Sequence, residues 1–108
     1  MEIEFSWRQI EQDKIGLDMP GFHWCSHGRV LTIYLVESES IVMIHGEMPG
    51  VKQYDVLIFD ETEYISNRFY PNKKRVETIP QEERYQIQQS LVNWLEDRGI
   101  RHDIKVGT

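Results

Sequence analysis

The segment His23-Trp24-Cys25-Ser26-His27 is the densest concentration of reactive side chains in the chain. Two imidazoles and a thiol stand at spacing two, and in an extended segment alternate side chains project to one side, as a metal requires of a local run of ligands. Structural zinc takes four ligands and catalytic zinc three with an open position, so His45, His102 or a carboxylate would have to converge from elsewhere. The ordinary reading is two loop histidines around a cysteine buried as a small hydrophobe. Short motifs match by chance often enough that this reading prevails, and no residue is assigned to a metal. Cys25 between two histidines also has the composition of a thiolate-imidazole nucleophile, because a neighbouring base raises the thiolate fraction. Nothing marks an oxyanion hole or a third group to orient the base, so no catalytic residue is assigned.

Arg68, Lys73, Lys74 and Arg75, interleaved with Phe69 and Tyr70, form the basic patch of the sequence. Guanidinium forks bind oxyanions and aromatic rings stack on bases, but a solvated turn that offsets Glu77, Glu82 and Glu83 is the reading that suits an acidic chain. His102 stands on an apolar strand face as a satisfied structural histidine, and His45-Gly46-Glu47 beside a Pro-Gly turn are ordinary loop residues. There is no G-x-G-x-x-G, Walker A, G-x-S-x-G, H-E-x-x-H or EF-hand pattern, so no cofactor is expected.

Charge directs attention to a partner instead. Twelve Lys and Arg against 18 Asp and Glu give a net charge of -6, which opposes generic attraction to nucleic acid or anionic lipid and favours a basic partner. Glu37, Glu39, Asp60 and Glu61 fall in two expected hairpin loops. Gathered at one end of a sheet, they would make an electronegative rim that binds a basic protein. The expected function is therefore that of a small, soluble, non-enzymatic binding or regulatory module, bacterial in style. The alternative is a metal-dependent protein or enzyme built on His23, Cys25 and His27. Self-association through an uncovered sheet face bearing Tyr34, Tyr54, Tyr64 or Tyr70 is a further expectation. A single cysteine closes no intrachain disulfide, the N-terminus is acidic where a secretion signal is basic, and no apolar run approaches the roughly 20 residues that span a bilayer. The expected setting is the cytoplasm.

The elements that must position these residues follow from patterning. A chain of 108 residues is expected to form a single domain over 1-108. Ile3, Phe5 and Trp7 alternate with polar neighbours, which reads as a strand over 2-8, followed by a long connection to residue 26 with one helical turn near Ile10-Lys14. Residues 29-36 and 41-45 are apolar runs around a four-residue polar loop, an antiparallel hairpin whose first arm is apolar on nearly both faces. Residues 54-59 and 63-70 read as a second hairpin. Pro71 then breaks the chain ahead of a helix signalled by Thr78 as cap with Gln81 in a capping box. Ile87, Leu91, Trp94 and Leu95 make one apolar stripe, Gly99 supplies a left-handed cap, and Ile100 to Val106 alternate as a final strand. The expected architecture is α+β: a mainly antiparallel sheet of five to six strands, one C-terminal amphipathic helix on one face, and a final short strand.

Overall fold

The computed structural model describes residues 2–27, 30–47, 65 and 67–101, with side chains for all of these except 2–4, 27, 30 and 47. The described chain is an α+β fold. Helix α1 (Glu2–Gln12) precedes strands β1 (Gly21–His27), β2 (Val30–Val36), β3 (Ile41–Glu47), β4 (Asn67–Tyr70) and β5 (Arg75–Thr78), and α2 (Gln81–Asp97) follows. The strands form one antiparallel sheet in the order β1-β2-β3-β4-β5. The earlier arm of the expected second hairpin (54–59) and the expected last strand (100–106) fall mostly or wholly outside the described residues. No described helix is long and apolar enough to cross a membrane.

The central strands β2 and β3 are covered on both faces, which corrects the expectation of one covered face. Leu31 and Ile33 of β2 and Val42 and Ile44 of β3 pack with Ile87, Leu91, Val92 and Leu95 of α2. Tyr34, Val36, Ile41 and Met43 occupy the alternate positions and pack with Ile10, Ile15 and Phe69, flanked by Trp7. Cross-strand partners Ile33↔Ile44 and Tyr34↔Met43 carry the two layers through the sheet. A β2 that is apolar on both faces needs two covering layers, and α1 is the second. Of the tyrosines expected on a self-associating face, Tyr34 is fully buried in the α1-side cluster and Tyr70 is half-buried with Arg75 over its ring. Tyr54 and Tyr64 lie outside the described residues.

The expected strand over 2-8 is a helix, and the reason lies in one residue. Ile3 and Trp7 are four apart, a spacing shared by a strand face and a helix stripe. Ile10 breaks the tie, because it falls on Trp7's side only with helical periodicity. In α1 Ile10 is buried and Phe5 is left 67% exposed, the reverse of what alternation implies. Trp7 closes the layer edge-to-face on Phe69, with ring centroids 5.2 Å apart.

Both helices end in the same hydrogen-bond pattern. At α1, Ile15 N–H donates to the Ile10 carbonyl and Lys14 N–H to the Glu11 carbonyl, each at 3.1 Å. At α2, Ile100 N–H donates to Leu95 (2.9 Å) and Gly99 N–H to Glu96 (3.0 Å). These are Schellman closures, in which the residue after the cap adopts a left-handed conformation. Gly99 does so at φ 69 without a side-chain penalty, whereas Lys14 holds φ 56 with one. The expected capping box at the start of α2 is absent: Thr78 ends β5, and the cap is Pro80, with no side-chain cap bond. β5 itself arises where a loop was expected, pairing Val76 with Phe69. Its one inward apolar residue and its charged Arg75 and Glu77 suit a short sheet edge.

Candidate functional site

The His/Cys segment forms β1, so alternate residues share a face as expected. His23 and Cys25 pair with Tyr34 and Thr32 respectively, on the side of the sheet that α1 covers. His23 Nε2–H donates to the Met19 carbonyl at 2.6 Å, tying the ring to the loop that enters β1. Cys25 is half-buried, and burial together with the charge of Asp13 pushes its thiol pKa up. A nucleophilic cysteine needs the opposite shift. Among the described residues no three His, Cys, Asp or Glu side chains gather as metal ligands, and the His27 side chain lies outside them.

What this face holds instead is a polar seam between helix and sheet. Gln9 of α1 donates through Nε2 to Thr32 Oγ1 at 2.7 Å, and Tyr34 donates its hydroxyl to Asp13 Oδ2 at 2.6 Å. Burial, reinforced by the Asp13 hydrogen bond and charge, raises the Tyr34 pKa far above its ordinary value. His45, opposite Thr32 in β3, keeps an exposed surface, yet desolvation by the protein around it lowers its pKa from the ordinary imidazole value. The seam satisfies groups that would otherwise be buried unpaired.

The seam has a pH signature. Above about pH 10 an unfolded chain releases the tyrosine proton while the folded chain retains it. The unfolded state then binds fewer protons, so the Tyr34 contribution is complete below that pH and declines as pH rises through it. Urea midpoints between about pH 8 and 11 are expected to fall more steeply for the wild type than for Tyr34→Phe. Parallel slopes would show that the phenol is not held protonated by the fold.

The acidic residues proposed for binding divide. Asp60 and Glu61 lie outside the described residues. Glu37 and Glu39 belong to the turn joining β2 to β3, and their roles differ. Glu37 N–H donates to the Ser40 carbonyl (2.8 Å), and Ser40 Oγ–H donates back to Glu37 Oε1 (2.7 Å). Arg68 of β4 grips the same carboxylate, Nε to Oε1 at 2.7 Å and Nη2 to Oε2 at 3.4 Å, and reaches Glu83 of α2 at 3.5 Å. Burial works against the Arg68 charge, but the hydrogen bond and charge of Glu37 outweigh it and hold the pKa above its ordinary value. Ser38 and Glu39 are exposed at the tip of the turn. Four contacts thus fix a turn that displays one carboxylate to solvent.

The sequence groups Arg68 with Lys73, Lys74 and Arg75, and the structure separates them. Its side chain is only 15% exposed, whereas Arg75 stacks 4.8 Å over the Tyr70 ring and pairs with Glu77. Sequence reasoning missed Arg68 as the turn's anchor because 31 residues separate it from Glu37. Comparison with protein-family models, curated proteins and solved structures finds no match to this chain.

Proposed function

We propose that this chain is a small, non-enzymatic binding or regulatory protein that engages a basic protein partner through an acidic rim comprising Glu37, Glu39, Asp60 and Glu61. The observation that carries the reading is the fixed turn at residues 37–40, where Glu37 is held by Arg68 and Ser40 while Glu39 stands free in solvent. Because the backbone of the turn is already fixed, only the Glu39 side chain has to be ordered on binding, which favours recognition over mere solubility. The net charge of -6 adds long-range attraction for a basic surface. Within the rim Glu37 is the anchor and Glu39 the contact.

Affinity capture tests this. The wild-type chain and a Glu39→Lys/Asp60→Lys/Glu61→Lys variant are used as baits in parallel, with Glu37 left intact so that the turn keeps its anchor. The expected result is a basic protein retained by the wild type and lost by the variant. The same proteins retained by both baits would defeat the acidic-rim reading.

A further inference from the structure

A groove of about 350 Å³ runs between the C-terminal part of α1 and the turn that follows β4. Its apolar lining comes from Trp7, Ile10, Ile15, Leu17 and Pro71. Gly16 and Asn72 also border it, and it carries two charged residues, one from each bordering element: Glu11 from α1 and Lys74 from the turn. Both are exposed, and among the described residues neither makes an ion pair. The groove is at the small end of the range for ligand sites, with an apolar body and few polar groups. Its size suits one small molecule, of about the dimensions of an amino acid.

The pairing of charges narrows the ligand. A simple fatty or aromatic acid would satisfy Lys74 but bring its carboxylate into the field of Glu11, and a simple amine would do the reverse. A zwitterion with an apolar body carries a charge complementary to each, an ammonium for Glu11 and a carboxylate for Lys74. We infer that the groove binds a free apolar α-amino acid, with its side chain against Trp7, Ile10, Ile15 and Leu17. This site is separate from the acidic turn and does not depend on the partner reading.

Lys74 also permits a clean variant. It closes the 3-10 turn Pro71–Lys73 at φ 51, a conformation that glycine adopts freely, so Lys74→Gly removes the ammonium and relieves backbone strain. The probes are L-tryptophan, N-acetyl-L-tryptophan, L-tryptophan amide and indole, titrated into the full chain and followed by NMR. L-Tryptophan is expected to shift the resonances of Trp7 and Ile15 saturably. The acetylated and amidated forms, each lacking one charge, and indole, lacking both, are expected to bind about tenfold more weakly or worse. Glu11→Gln is expected to abolish the preference over the acetylated form, and Lys74→Gly the preference over the amide. The inference is overturned if L-tryptophan causes no saturable shift up to its solubility, if indole binds as tightly, or if both variants keep the wild-type preferences.

Discussion

Leu91→Ala is expected to lower the unfolding free energy by about 2–5 kcal/mol, the range for a large-to-small change at a fully buried leucine. Leu91 has no exposed surface and sits among Leu31, Ile33, Val42, Ile44 and Leu95, where α2 meets the sheet. Truncation removes apolar burial and leaves a cavity that β2 and β3, paired along seven residues, are poorly placed to fill. Native domains are stable by only about 5–15 kcal/mol, so a change of this size is a large share of the whole. Urea denaturation gives the measurement, with Gln86→Ala on the exposed side of α2 as control. The control is expected to change stability by no more than about 0.5 kcal/mol. Equal losses for the two variants would mean that the apolar stripe of α2 is not what joins helix to sheet.

Arg68→Met is the second large effect, and its mechanism differs. Arg68 joins three elements, because its guanidinium holds Glu37 in the β2–β3 turn and reaches Glu83 in the first turn of α2. Removing it leaves the Glu37 carboxylate with Ser40 as its remaining side-chain partner in a half-buried setting. Stranding a deeply buried ion costs about 3–5 kcal/mol. The Glu37 side chain is 33% exposed and can recover water, which reduces the expected loss to about 1–3 kcal/mol. The diagnostic is a double-mutant cycle with Glu37→Gln, expected to give a coupling of about 1 kcal/mol. Strict additivity would contradict a direct bond between the two side chains. Arg68→Lys is expected to restore only part of the loss, because a point charge cannot reproduce the two-pronged grip.

The parts of the fold that were legible in the sequence are those fixed by local patterns. The β2–β3 hairpin follows from two apolar runs around Glu37-Ser38-Glu39-Ser40, and α2 from the spacing of Ile87, Leu91 and Leu95 and from Gly99 at φ 69. Helix α1 mimics a strand in the sequence because Ile3, Phe5 and Trp7 satisfy alternation, and Ile10 carries the helical signal. β5 has one half-buried apolar residue, Val76, too little for a pattern. Gln88 is 2% exposed, since α2 buries Gln88 and Val92 beside the expected stripe. At the candidate sites the limit is distance along the chain. The Tyr34 bond to Asp13 spans 21 residues and the Arg68 bond to Glu37 spans 31, and no local pattern encodes either. Glu39 could be read as an exposed carboxylate, but whether its turn is rigid depends on Arg68. The groove likewise needs α1 and the Pro71–Lys74 turn brought side by side, which no run of residues announces.

The exposed carboxylate on the fixed turn is most directly tested by the affinity of the captured partner for the wild type and for Glu39→Gln across a range of ionic strength. An electrostatic contact at Glu39 predicts weaker binding by the glutamine variant at low salt, with the difference narrowing as salt screens the charge. Equal affinities for the two chains at every ionic strength would contradict the role assigned to the turn.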